Sequence, residues 1–259
     1  MSKSTFTMTN STTRFSNRVE NYIKFRPGYP AQVLETLALN CGLNASSVVA
    51  DIGSGTGIFT KVLLSKALQV FAVEPNDAMR AAAENMLQKE RGFVSINGTS
   101  ENTTLPDHSV DFITAAQAFH WFNIAECKME FQRIGKPGAW TVLIWNERRM
   151  DSSPFLRGYE ALLQKFGTDY TQVNHTRFDS GAIASFFDPQ AFELRTFDNR
   201  QLFDYAGLEG RLLSSSYTPD AASPHYAEML RALKVLFEEH QENGAVSFDY
   251  DTNIYFGQL

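Results

Sequence analysis

An α/β fold, a mostly parallel sheet of about seven strands with helices on both faces, is what this sequence predicts, and three observations lead there. From residue 46 onward, short β-branched, apolar runs alternate with helical stretches, the pattern of a sheet buried on both faces. Three glycines in five positions, "GSGTG" (53–57), stand between the first such run and the first helix. A chain of 259 residues, 43% hydrophobic and 20% charged, can bury a large core without being a membrane or disordered sequence.

Residues 1–45 read as an N-terminal arm with helices. A core of alternating strands and helices, the candidate cofactor-binding part, spans 46–146. In it, "SVVADI" (47–52) is the first strand and "FTKVLLSKAL" (59–68) the first helix of the alternating region. "QVFAVE" (69–74) is the second strand, followed by the helical "NDAMRAAAENMLQKE" (76–90). "GFVSING" (92–98) and "VDFITAA" (110–116) are the third and fourth strands. A helix near 123–134 stops at "GKPG" (135–138), and "AWTVLIW" (139–145) is the fifth strand. The rhythm then breaks: 147–190 holds two helices (154–166 and 180–187) and reads as a helical insertion or cap. In 191–259, "FELRTFDNR" (192–200) is a sixth strand, helices lie near 204–215 and 223–242, and "AVSFDYDTNIYFG" (245–257) alternates as a seventh. No linker divides the chain, so a single domain is expected.

The glycine loop carries the strongest chemical signal. Glycine accepts positive φ and puts no Cβ between backbone and ligand. The helix start that follows offers unpaired N–H groups to an anionic ligand group. In open α/β sheets, ligands sit beyond the carboxyl ends of the strands, where this loop lies. A dinucleotide fingerprint, G-x-G-x-x-G/A, needs a small residue at position 58, and Ile58 stands there. Asp51, two residues before Gly53, and Glu74, an acid at the end of the second strand, make the pattern more specific. A strand-end acid can accept hydrogen bonds from both hydroxyls of a ribose.

"VVADIGSGTGIFTKVL" with "VFAVEPNDAM" resembles the first motif and its acidic partner in class I S-adenosylmethionine-dependent methyltransferases. "GTSENTTLPDHSVDFITAAQAFHWF" (98–122) resembles the next motifs of that family. "FSNRVENYIKFRPGYP" and "AQAFHWF" resemble the branch containing trans-aconitate methyltransferase-like proteins. The resemblance implies a Rossmann-like fold of seven strands, the last inserted antiparallel, and S-adenosyl-L-methionine as cofactor. It implies that Gly53, Ser54, Gly55 and Gly57 approach the methionine part, with Asp51 near its amino group. Glu74 would hold the ribose, and Pro75, Asn76 and Met79 would lie near the adenine. Ser100 and Glu101 correspond to the adenine-side loop, and Gln117 to the end of the fourth strand beside the methionine portion. Tyr22 and Arg26, four apart and on one helix face, belong to an arm that folds over the cofactor in the related branch.

His120 is a candidate general base, because imidazole as a group suits proton removal near neutral pH, and it equally suits positioning of cofactor or substrate. Tyr22 is the second candidate assistant. The expected reaction is in-line methyl transfer to a small-molecule acceptor, with a carboxylate, which needs no base, among the possible acceptors. Arg211, Ser215 and Tyr217 are placed to meet a polar acceptor, although a structural role explains each as well.

Several classes are disfavoured. The net charge of −6 argues against general binding to nucleic acid or anionic membrane. Nucleic-acid amino methyltransferases often carry [ND]-P-P-[YF] where this chain has "AAQAFHW". No apolar run reaches about 18 residues, so no membrane span is expected. Cys41 and Cys127 form no disulfide framework, and His108, His175, His225 and His240 form no metal-ligand spacing. A cytoplasmic monomer or homodimer is the expectation. A non-catalytic S-adenosylmethionine-binding protein and an NAD(P)-dependent oxidoreductase remain the alternatives, separable by which ligand raises thermal stability.

Overall fold

The computed structural model describes residues 23–168, 170, 180–215 and 217–259. Its elements follow in chain order. Helix α1 (Ala31–Cys41) precedes β1 (Val48–Ile52), α2 (Ile58–Leu64), β2 (Gln69–Val73), α3 (Asp77–Leu87), β3 (Phe93–Ile96) and β4 (Val110–Ala116). A 3₁₀ turn (Phe119–Trp121), α4 (Ile124–Ile134) and β5 (Gly135–Arg148) come next. Helices α5 (Pro154–Phe166) and α6 (Ser180–Phe187), strand β6 (Phe192–Phe203), helices α7 (Tyr205–Leu213) and α8 (Tyr226–His240), and β7 (Val246–Gln258) complete the chain.

The seven strands lie in the order β3-β2-β1-β4-β5-β7-β6. The first five run parallel to their neighbours, while β7 runs antiparallel to both β5 and β6. The strand order reverses between β1 and β4, and the crevice outside their carboxyl ends is where such sheets bind ligands. β1 shows why its residues suit this place. Ala50 and Ile52 point to one face, among Phe131, Phe186 and Phe187 of α4 and α6. Val49 points to the other, among Leu37 of α1 and Leu63 of α2. A strand buried on both faces cannot alternate apolar with polar, which is why it reads as a continuous apolar run.

A third cluster forms beyond the sheet's carboxyl edge. Phe155, Tyr159 and Leu163 of α5 pack with Leu208 and Leu212 of α7, Met229 and Leu233 of α8, and Phe248 and Tyr250 of β7. The two helices of 147–190 therefore go to different places. α5 joins this cap, while Ile183, Phe186 and Phe187 of α6 pack on the sheet beside α4.

Two further differences from the sequence reading have physical causes. α4 does end at Ile134, but "GKPG" is the start of β5 rather than a connecting turn. Gly135 pairs with Val110, the register then shifts, and the ladder resumes at Trp140 opposite Phe112. The intervening residues are a bulge, which accommodates Pro137 and the positive φ of Gly138. β5 also runs on to Arg148, because β7 pairs with it continuously from Gln258 to Tyr250. β6 likewise extends to Phe203 against Val246.

The described part of the N-terminal arm lies across the ends of these long strands. The Gly28 carbonyl accepts from the side-chain amides of Asn146 (3.1 Å) and Asn199 (2.9 Å). Arg26 Nη2 donates to the Ser214 carbonyl at 3.1 Å, and the Tyr29 ring meets Phe59 of α2 edge-on at 4.7 Å.

Gly53 fixes how closely the glycine loop sits against the chain after β4. Its φ is +67°, and a Cβ there would lie 2.6 Å from the Cβ of Ala118. Gly53→Ala combines a left-handed backbone penalty with overpacking, for an expected loss of about 2–4 kcal/mol. Urea denaturation of the purified variant measures it, and a loss within experimental error of zero contradicts the close-packing account.

Candidate functional site

A cavity of about 370 Å³ opens at the carboxyl ends of β1, β4 and β5. The glycine loop forms one side, through Asp51, Gly53, Ser54, Gly55 and Thr56. Gln117, His120 and Trp121 border it from the segment after β4, and Arg26 and Tyr29 from the arm. The far wall comes from distant parts of the chain: Trp145–Asp151, Tyr170, Arg211, Tyr217, Tyr250 and Asp251.

Asp51 is almost fully buried and braces the loop. Its Oδ2 accepts from Thr60 Oγ1 of α2 at 2.6 Å, and its Oδ1 from Thr114 Oγ1 of β4 at 2.9 Å. Burial pushes its pKa up to about 6; the two hydroxyls oppose that shift and the nearby charge of Glu74 adds to it. Glu74 is buried too. Its Oε2 accepts from the Gly55 N–H and its Oε1 from the Asn76 N–H, both at 2.8 Å. Burial raises its pKa, against the pull of these two N–H groups and of Arg80. Each Glu74 oxygen keeps a further lone pair for a hydroxyl donor.

The three loop glycines differ in what they permit. A Cβ on Gly53 would strike Ala118, and one on Gly57 would come 2.7 Å from Leu87 of α3. One on Gly55 would meet nothing within 4 Å. Gly55 thus leaves an open cradle, while Gly57 provides the close packing that a dinucleotide loop obtains from its third small residue. Two neighbouring hydroxyls, Ser54 Oγ and Thr56 Oγ1, are buried without a hydrogen-bond partner. An unsatisfied buried hydroxyl costs about 1–3 kcal/mol, so the cradle is built for something that bonds to it.

The remaining sequence candidates fall into three groups. Arg26, Asp51, Gly53, Ser54, Gly55, Gln117 and His120 line the cavity together. Gln117 does so in a left-handed conformation, φ +58°, with Nε2 donating to the Asn146 carbonyl at 3.0 Å. Gly57, Glu74, Pro75, Met79, Ser100 and Glu101 do not line it. Among these, Met79 is buried on α3, its N–H capped by Asn76 Oδ1 at 2.9 Å. Glu101 Oε1 accepts from Ser100 Oγ at 2.7 Å and from the Asn123 N–H at 2.9 Å, tying that loop to the start of α4. Tyr22 lies outside the described residues. His120 sits in the 3₁₀ turn, its ring 5.0 Å from that of Trp121.

Arg148, Arg149, Tyr170 and Tyr250 were not found from sequence, although they form much of the far wall. Arg148 pairs with Glu160 and donates to Tyr170 Oη at 3.2 Å, and its charge lies 5.2 Å from the Tyr159 ring centre. Arg149 pairs with Asp198 and Asp251. The doubled arginine at the carboxyl end of a central strand, "NERRM", was the available signal. Among the described residues, no group of three or more His, Cys, Asp and Glu is arranged to hold a metal ion, and no helix is long and apolar enough to cross a membrane.

Residues 50–143 match the family described as a methyltransferase domain. An uncharacterized methyltransferase of Mycobacterium tuberculosis H37Rv is 36% identical over 138 residues, which cover 52% of either chain. One from Schizosaccharomyces pombe is 31% identical over 153 residues, 58% of this chain and 59% of that one. The chain thus spans about half the length of the curated relatives it matches. Among solved structures, an Anaeromyxobacter dehalogenans protein assigned to the type II methyltransferases superposes with a TM-score of 0.66 at 21% identity, over 90% of this chain and 98% of that one. An Anabaena variabilis protein, assigned as a methyltransferase of an antibiotic biosynthesis pathway, gives 0.60 at 19% identity over 91% and 99%. At such identities the likeness is one of fold.

Two outcomes are expected from this geometry. Gly55→Ala should cost about 1–2 kcal/mol in stability, from the left-handed φ of +58° alone, yet weaken S-adenosylhomocysteine binding tenfold or more by calorimetry; unchanged affinity would mean that the cradle holds nothing. The second concerns pH. With its pKa raised from 3.8 to about 6, folded Asp51 keeps a proton that the unfolded chain has released. Stability from this group therefore falls as pH rises from 4 to 6, by about 3 kcal/mol. Subtracting wild-type from Asp51→Asn urea-denaturation stabilities should give a difference that rises over that window. A flat difference would contradict the shift.

Proposed function

We propose that this chain, whose residues 50–143 match a methyltransferase-domain family, is a class I S-adenosylmethionine-dependent enzyme that transfers a methyl group to a small-molecule acceptor, a carboxylate in our reading. The observation that carries this is the continuity of one cavity. It runs from the open Gly55 cradle, past Gln117 and His120, to a wall of arginines and tyrosines. The residues fit the cofactor: a ligand in the cradle meets the unpartnered hydroxyls of Ser54 and Thr56. When bound, S-adenosylmethionine supplies an electrophilic methyl carbon, whose bond to sulfur breaks as the acceptor's lone pair attaches, leaving a neutral thioether.

The chain's own part is to bind, orient and exclude water. Gly53, Ser54 and Gly55 would present backbone to the methionine portion, and Asp51 would hold its ammonium. Glu74 would accept the ribose hydroxyls while holding the loop through Gly55. Pro75, Met79, Ser100 and Glu101 stand on the adenine side. Gln117, anchored on Asn146, would border the methionine portion, and Arg26 would close over the cofactor from the arm. Holding two reactants in line is itself worth up to about 7–11 kcal/mol of the barrier. His120 orients the acceptor, since a carboxylate oxygen has no proton to lose. Trp121 and Trp145 give the cavity aromatic faces, which attract a cationic sulfonium.

Calorimetry with S-adenosylmethionine and S-adenosylhomocysteine, followed by a labelled-methyl screen over carboxylates, phenols and amines, tests the reading. Binding of NADH alone, or no transfer to any acceptor class, would overturn it. For the acceptor found, kcat should be flat from pH 6 to 8, and His120→Gln should lower it without changing the profile. A single ionisation near pH 6.5 that vanishes in His120→Gln would make His120 the base instead.

A further inference from the structure

We propose that Arg211 anchors a carboxylate of the methyl acceptor, and that the anchored carboxylate is not the group that is methylated. The acceptor then carries at least two functional groups, one held and one reactive. This rests on the methyl-transfer reading of the rest of the cavity.

Arg211 sits on α7 and lines the same cavity as Gly55 and His120, yet it is only 6% exposed. A guanidinium keeps its charge at any physiological pH. Among the described residues, the acceptors it reaches are neutral hydroxyls: Tyr250 Oη at 3.3 Å from Nε, and Ser215 Oγ at 3.2 Å and Ser214 Oγ at 3.5 Å from Nη1. These are long for charged donors. The Phe248 ring centre, 5.9 Å away, adds a weak attraction. Among the described residues no carboxylate comes within ion-pair distance of it. The contrast with its neighbours is direct, because Arg148 is matched by Glu160, and Arg149 by Asp198 and Asp251.

A buried charge without a counter-charge is expensive, and proteins retain one where a ligand supplies the opposite sign. The chemistry of the wall says which sign and shape. A guanidinium fork matches a planar carboxylate with two parallel hydrogen bonds. The rings of Tyr217 and Tyr170, in edge-to-face contact at 4.9 Å, line the cavity with it and give the acceptor an apolar flank ending in hydroxyls.

The anchored group is distinct from the reactive one for a chemical reason. A carboxylate whose lone pairs are taken by a guanidinium is a poor nucleophile, and in-line attack on carbon needs a free lone pair. Arg211 thus sets the acceptor's orientation by its far end and leaves the near end open.

The test uses the full chain saturated with S-adenosylhomocysteine and reads binding of small dicarboxylates, malonate through adipate, against their diamides by calorimetry. At least one diacid should bind, with its diamide tenfold weaker or worse. Arg211→Gln should remove that preference while binding S-adenosylhomocysteine within twofold of wild type. Arg211→Lys, which keeps the charge and loses the fork, should bind the diacid more weakly than wild type and serves if the Gln variant does not fold. Diacids that fail to bind wild type, diamides that bind as well, or a preference that survives Arg211→Gln each overturn the proposal. Failure of the methyl-transfer reading looks different, because S-adenosylhomocysteine itself would not bind.

Discussion

A single carboxylate, that of Asp51, joins the three elements whose relative placement makes the cavity. It lies at the end of β1, and its two oxygens take hydroxyls from α2 and from β4. The glycine loop hangs between β1 and α2, and the segment with Gln117 and His120 continues from β4. If the bridge were absent, the loop and the β4 end would still be joined by backbone ladders, but their separation at the cavity would be set only by packing. Keeping an ionisable group there carries a cost, visible in its raised pKa. Hydroxyl partners reduce that cost without cancelling the charge.

Glu74 acts differently on the same loop. It reaches across from β2 and takes the Gly55 N–H, so the left-handed turn at Gly55 is held before any ligand arrives. Asn76 completes the arrangement by donating its N–H to the same carboxylate and capping α3 with its side chain. One acid therefore shapes the loop and offers remaining lone pairs at its rim. Preorganisation of this kind reduces what ligand binding must spend on ordering a flexible loop.

Much of the cofactor half could be read from the chain because its determinants are local. β1, the glycine loop, α2 and the acid of β2 fall within 27 residues of one another, and their spacing carries the meaning. β4 at 110–116 and the helices at 154–166 and 180–187 also lie where apolar periodicity places them. In α5 the signal is reinforced by Ser153, whose side chain caps the Leu156 N–H, and by Pro154 at the first position. The acceptor half resisted reading for the opposite reason. Arg148, Tyr170, Arg211 and Tyr250 come from four separate elements or loops, brought together by a cap core that has no sequence motif. Arg211 and Tyr217 stand out as polar residues near a pocket, but nothing local distinguishes a charge that has no counter-ion among the described residues from one paired across the fold. The start of β5 was misplaced because Pro and Gly mark a bulge as readily as a turn.

The position of β7 bears on the order in which the protein can assemble during synthesis. The sequence up to residue 143 already contains the strands that flank the glycine loop. Strand β7, which supplies Tyr250 and Asp251 and lies between β5 and β6, leaves the ribosome more than 100 residues later. Until then β5 has an unpaired edge and β6 has no partner, both of them long strands open to mispairing. A nascent chain would hold its glycine loop in shape well before the opposite wall of the cavity existed. The far wall of the cavity thus arrives last and all at once, when one strand closes the sheet and brings Tyr250 and Asp251 into place.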